Sequence, residues 1–141
     1  MVKGRREAIS RSMGFAALIV GSTVCSADTI DSAVIGAWCL TPPDCTRLFE
    51  RRGGGLAFRQ PVDKFAQAAI IEPRQFILPS SVCQVQTVSH QKGAMMVNAE
   101  CNDSISYSPQ TIQIKVKSGG EIVYSPNGDV SLDTTLIKCH L

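Results

Sequence analysis

VCQVQTVSHQKGAMMVNAEC, residues 82–101, reads as a single β-hairpin tied by its own two cysteines. Successive side chains of a strand point to opposite faces. Cys83, Val85 and Thr87 therefore share one face of the first arm, and Met95, Val97, Ala99 and Cys101 share one face of the second. Gln91, Lys92 and Gly93 fit a three-residue loop, with Gly93 in the left-handed conformation such loops need at their last position. That loop pairs 90 with 94 and 89 with 95, and the same count brings 83 opposite 101. Counted outward from a hydrogen-bonded pair at His90 and Ala94, the cysteines fall at a non-hydrogen-bonded site. There, opposed Cα atoms approach to about 4.5 Å, within the roughly 4.4–6.8 Å that a disulfide spans. A bulge beside Gly93 would shift this parity.

A disulfide needs an oxidising compartment, and the N-terminus points to one. Residues 1–12 carry Lys3, Arg5, Arg6 and Arg11 against the single acid Glu7, and an apolar run, residues 13–20, follows. Eight apolar residues are too few to span a bilayer, which takes about 20, but they suit the h-region of a cleaved signal peptide. Cys25-Ser26-Ala27 supplies small residues at the recognition positions, so cleavage is expected after Ala27, leaving residues 28–141 as one domain in the periplasm or outside the cell. Val24 stands where a lipoprotein anchored through Cys25 would have a small residue, so no membrane anchor is expected.

Removing residues 1–27 takes away four of the fourteen Lys and Arg and one of the twelve acids. Ten basic side chains then face eleven acidic ones. A near-neutral domain has no bulk-charge case for binding nucleic acid or an anionic membrane.

Five cysteines remain in the mature chain, at 39, 45, 83, 101 and 139, so one is left over. Besides 83 with 101, the attractive bridge joins Cys45 or Cys39 to Cys139, tying the first ordered segment to the last strand; 45 with 83 and 101 with 139 is the competing connectivity. By loop entropy the hairpin bridge would contribute about 3 kcal/mol and the long one about 4–5 kcal/mol.

In chain order, residues 28–35 read as a loose lead-in and residues 33–40 as a short strand holding the lone Trp38, a core residue. Thr41-Pro42-Pro43 ends that strand. Asp44 then caps a short helix over residues 45–52, with Cys45, Leu48 and Phe49 inward and Gly53 past its end. Arg47, Arg51, Arg52 and Arg59 flank Gly53-Gly54-Gly55 without the ending of a nucleotide-binding loop; they read as a solvated face beside a flexible loop. Residues 63–71 fit either a short helix or a strand, and Pro73 stops it. Beyond, the pattern is all β: residues 75–78, the hairpin, and residues 111–117, where Ile112, Ile114 and Val116 alternate with polar residues. Turns follow at Gly119-Gly120 and at Ser125-Pro126-Asn127-Gly128. The last strand carries Val130, Leu132, Leu136, Ile137 and Cys139, with a phase shift at 136/137 that suggests a bulge. The expected fold is mainly β, a small antiparallel β-barrel or sandwich with one or two short helices.

With the segments placed, two resemblances emerge. Trp38 with Cys45 seven residues on, the strand Ile71-Glu72-Pro73-Arg74-Gln75-Phe76 ahead of Cys83, the Cys83 to Cys101 interval and a strand ending in Cys139 together resemble small exported proteins of unknown function from Gram-negative alphaproteobacteria. The chain departs from them in carrying Asn102-Asp103-Ser104 where a Gly-Glu element follows the second hairpin cysteine. The resemblance implies that Cys45 is the framework cysteine bridged to Cys139 and that Cys39 is the extra one. Ser118-Gly119-Gly120-Glu121-Ile122-Val123-Tyr124 is similar to the Ser-Gly loop leading to a Tyr with which C-type lysozyme inhibitors enter their target's cleft. It implies a contact loop at Ser118, Gly119, Gly120 and Tyr124.

Catalytic chemistry has little to stand on. His90 at the hairpin tip and His140 at the C-terminus lack metal-ligand or Cys/His dyad spacing, and the acids form no acid–base pair. Cys39 beside Trp38 reads as a buried thiol. No enzyme, metal or cofactor is expected. Two functions remain: a periplasmic binding or inhibitory module, directed at an envelope protein or a lysozyme-like hydrolase, or a structural protein of the envelope that pairs through a sheet edge.

Overall fold

Apolar residues at every second position of consecutive segments, separated by Gly, Asn and Pro turns, give strands that each have one face to bury. The computed structural model describes residues 28–141; the expected signal peptide and its cleavage site lie outside the described residues. Ten strands form: β1 (Gly36–Cys39), β2 (Phe49–Arg52), β3 (Gly55–Phe58), β4 (Ala68–Glu72), β5 (Gln75–Ile77), β6 (Val82–Gln91), β7 (Ala94–Asn102), β8 (Tyr107–Lys117), β9 (Glu121–Pro126) and β10 (Thr134–Lys138). One α-helix, α1 (Pro42–Leu48), follows β1, and 3-10 turns cover Ser32–Val34 and Val130–Leu132. Eight strands close an antiparallel barrel in the order β1-β10-β9-β8-β7-β6-β5-β4, while β2 and β3 form a separate hairpin. The chain is thus a small antiparallel barrel with one short helix, within the expected class.

Two apolar clusters lie on either side of the barrel wall. Inside, Trp38, Ile71, Phe76, Val85, Met95, Val97, Ile112, Ile114, Ile122 and Leu136 pack around the Cys83–Cys101 disulfide. Outside, Ala37, Cys39, Ile70 and Cys139 meet α1 and the β2–β3 hairpin through Cys45, Leu48, Phe49 and Phe58. The Phe49 and Phe58 rings stack at 5.1 Å, and the Cys45–Cys139 disulfide fastens this layer to the end of the chain. Ala68, Ala69, Ile70 and Ile71 of β4 are accordingly all buried, apolar on both faces, because one face lines the barrel and the other lies under the outer layer.

The stapled hairpin forms, by a different route from the expected one. Gln91 pairs with Ala94 across a two-residue Lys92-Gly93 turn, with φ of 49° and 74°, the left-handed pair that matches strand twist. The register is therefore 90 with 95 and 89 with 96, not 90 with 94. A bulge at Gln86 absorbs the difference, so that 85 meets 99 and Cys83 meets Cys101 with Cα atoms 3.9 Å apart. The bulge also turns Thr87 outward and lets Val88 reach the interior cluster.

Other expectations need correction. Residues 28–35 are not loose: Ile30 and Val34 sit inside the barrel, and the Trp38 indole N–H donates to the Val34 carbonyl at 2.8 Å. The helix starts at Pro42, where a missing N–H costs nothing, and ends at Leu48. Phe49 then begins a strand, because Phe49–Arg52 finds a partner in Gly55–Phe58. Gly53 and Gly54, both at positive φ, make its tight turn rather than a flexible loop. The Arg residues around it are solvent-exposed, as the solvated face required, and each has a partner: Arg47 with Asp44 and Asp63, Arg52 and Arg59 with Glu50, and Arg51 with the Leu141 carbonyl. Residues 63–71 resolve as strand from Ala68. No bulge interrupts β10: Leu136 points inward while Ile137 packs on the outer cluster, so consecutive apolar residues serve two cores.

Candidate functional site

The topology gives the barrel two unlike ends. At one lie the turns β4–β5, β6–β7 and β8–β9, and the N-terminal segment crosses it: Ile30 N–H donates to the Pro73 carbonyl at 2.9 Å, Ile30 and Val34 enter the core, and His90 and Asp31 pair at 2.8 Å. This end is plugged. At the other lie the connections β5–β6, β7–β8 and β9–β10 and the loop entering β4, and a cavity of about 350 Å³ opens between the β5–β6 and β9–β10 connections and the loop entering β4. Ala69, Leu78, Tyr124 and Leu136 form its floor; Lys64, Ser80, Leu132 and Thr134 are among its rim. Eight-stranded barrels have interiors that side chains just fill or that hold one small ligand; here a smaller cavity of about 180 Å³ remains beside Val34, Met95 and Ile114 at the plugged end, against about 350 Å³ at the open one.

That end also collects the exposed apolar side chains. Of nine large hydrophobic residues exposed among the described residues, seven (Leu40, Phe65, Val82, Ile105, Tyr107, Val130 and Leu132) lie at the open end; only Val116 and Leu141 do not. Phe65 is 96% exposed and Ile105 94%.

Single exposed hydrophobics are ordinary on protein surfaces, whereas a cluster around a concavity marks a binding surface.

Three of the loops are built alike. Asp63 Oδ1 accepts from the Phe65 N–H at 3.1 Å, Asp103 Oδ1 from the Ile105 N–H at 2.8 Å and the Ser106 N–H at 2.6 Å, and Asp129 Oδ1 from the Ser131 N–H at 2.9 Å. Each is an Asx turn, in which a short carboxylate replaces a backbone acceptor and holds the tip in one shape. The turns thereby fix Phe65, Ile105 and Val130 outward and Leu132 beside the cavity. Backbone donors hold the Asp103 carboxyl below the usual carboxylate range, and the Ser131 hydroxyl and N–H do the same for Asp129. Ser125, buried, anchors the last loop from below through its hydrogen bond to Asp133. Within 63–67, 103–106 and 127–133, four aspartates stand against Lys64, with Arg47 reaching Asp63 at 3.6 Å, so the rim keeps an acidic excess as well as an apolar one.

Tyr124 is the polar group of the cavity floor. Burial pushes its phenol up to about 12, with no hydrogen bond to offset the loss of water. The contact loop expected at Ser118, Gly119, Gly120 and Tyr124 does not form one surface. Ser118, Gly119 and Gly120 make the exposed β8–β9 turn at the plugged end, and Tyr124 lies at the other end of β9, opposite Ile114 and Thr134. Cys83 and Cys101 are buried within the barrel, and Cys45 and Cys139 outside it, so none of the bridged cysteines lines the cavity. The rim residues escaped sequence reasoning because they belong to four separate connections; the one legible signal was Asp two positions before an unpaired apolar residue at 63 and 103.

Family models, curated proteins and solved structures contain no match to this chain. Two disulfides point to an oxidising environment outside the cytosol, and no helix among the described residues is long and apolar enough to cross a membrane.

Proposed function

We propose that this chain is an exported binding module, periplasmic or secreted, that engages a partner protein through the open end of its barrel. The carrying observation is the concentration of exposed apolar residues, four of them on rigid Asx-turn loops, at the same end of the barrel as the 350 Å³ cavity. Holding Phe65 and Ile105 in water costs free energy that burial against a partner returns, at about 25 cal/mol per Å² of apolar area. Preformed loops lose little further entropy on docking. The four aspartates disfavour an anionic lipid surface and favour a partner presenting basic and apolar groups, with an apolar side chain seated against Tyr124 and Leu136. An envelope protein or a lysozyme-like hydrolase fits that description. No catalytic role follows from this rim.

The test is affinity capture from the periplasmic extract with the mature protein, beside a lysozyme inhibition assay, using two variants. Phe65→Ser/Ile105→Ser/Leu132→Ser should abolish capture or inhibition, and Ser118→Ala/Gly120→Ala should leave both unchanged. The reverse pattern would move the contact to the β8–β9 turn. Partner capture insensitive to both would refute the open-end reading.

A further inference from the structure

Cys39, Cys45 and Cys139 bring three buried sulfurs together from β1, α1 and the residue after β10. Cys39 Sγ lies 3.3 Å from Cys45 Sγ and 3.2 Å from Cys139 Sγ. A thiolate that exchanges with a disulfide must approach one sulfur along the axis of the bond it breaks; Cys39, equidistant from both, lies across that axis. The arrangement suits a different chemistry, in which all three sulfurs, within 4.8 Å of one another, act together.

We propose that, with the Cys45–Cys139 bond open, these three sulfurs form a trigonal thiolate site for one Cu(I) ion. Thiolates select soft ions such as Cu(I) and zinc. Structural zinc takes four protein ligands, and no fourth Cys, His, Asp or Glu joins this cluster among the described residues. Asp44 is engaged by Thr41 and Arg47, and burial leaves little room for water to complete a tetrahedron. A trigonal, water-poor sulfur set matches the coordination Cu(I) prefers. Two ligands keep their places without the bridge: Cys39 is held in β1 between β10 and β4, and the Cys139 N–H donates to the Ala37 carbonyl at 2.8 Å.

The chemistry balances by either of two routes. A dithiol reductant transfers two electrons and two protons to the Cys45–Cys139 bond and becomes a disulfide itself; Cu(I) then displaces the three thiol protons and binds without changing oxidation state. A chain that meets Cu(I) before the bond forms needs no reductant.

The experiment uses the mature protein, reduced with excess dithiothreitol and desalted without oxygen, titrated with Cu(I) against bicinchoninate. The expected result is one Cu(I) per chain with three sulfur neighbours by X-ray absorption. Bound Cu(I) should also protect Cys39, Cys45 and Cys139, but not Cys83 and Cys101, from iodoacetamide. Cys39→Ser should weaken binding more than about tenfold and lower the sulfur count to two. If reduction unfolds the chain, Cu(I) should restore its far-UV dichroism, since metal affinity and folding are then linked. Unchanged affinity in Cys39→Ser, protection of Cys83 and Cys101 instead, or failure of Cu(I) to restore a lost fold would each overturn the site. A Cys39–Cys45 or Cys39–Cys139 peptide from the air-oxidised protein would show exchange in its place.

Discussion

Tyr124 shows how one side chain reports on the barrel's open end. Its phenol is raised by burial to about 12, so the folded state holds a proton that the unfolded chain releases near pH 10. The sign follows: its contribution is complete below about pH 10 and is lost as pH rises towards about 12. Absorbance titration near 295 nm should show Tyr124 ionising late, with loss of stability over the same interval, and Tyr124→Phe should remove that step and leave only Tyr107, whose phenol is itself raised by its hydrogen bond to Glu100. The carboxylates run the other way. Asp103 is held down by the Ile105 and Ser106 N–H groups, so its loop is pinned at neutral pH and released only as pH falls below the ordinary carboxylate range of about 3.9. Carboxyl carbon shifts for Asp103 and amide exchange at Ile105 should change together in acid; exchange at Ile105 indifferent to pH 3 would contradict the Asx turn.

Among the elements, the hairpin β6–β7 is the best determined. Gly93 sits at φ 74° with open space around it, so Gly93→Ala meets no clash and should cost only the left-handed backbone penalty, about 1–2 kcal/mol. Its disulfide closes a short loop. Cys83→Ser and Cys101→Ser should each cost a few kcal/mol, and the double variant little more than either, since all three remove one bridge. Urea unfolding measures each, and a double variant whose loss equals the sum of the singles would deny that the two share a bond. The outer layer is a separate case: α1 has seven residues, too few to persist alone, and it holds to the barrel through Leu48, Phe49 and the Cys45–Cys139 bridge.

For the whole molecule, the asymmetry between a plugged and an open end separates stability from recognition. Ile30 is 4% exposed, inside the plugged end; Ile30→Ala should cost about 2–5 kcal/mol while leaving partner binding intact once the protein is folded. Phe65→Ser, at the open end, should change stability by less than about 0.5 kcal/mol and remove binding. Chemical denaturation and a binding titration on the same two variants give the full comparison. Equal stability losses would mean that Phe65 is held by packing and that the open end is part of the core.

Period-two alternation and turn chemistry, both local, determined the β class and the staple of Cys83 to Cys101, and helical spacing the inward direction of Cys45, Leu48 and Phe49. The pairing of Cys83 and Cys101 was legible although the loop was read one residue too long, because the bulge at Gln86 shifts the register by the same amount in the opposite sense. The sequence carried no mark of that bulge: Gln86 and Thr87 are both tolerated outside. Tertiary structure alone decided that Phe49 leaves the helix for a strand, that Ile30 and Val34 plug the barrel, and that Leu136 and Ile137 face different cores. Each depends on a surface contributed by residues far along the chain. The candidate binding surface belongs to the same class: Phe65, Ile105, Val130 and Leu132 come to one end of the molecule only when the barrel closes and brings separate connections there.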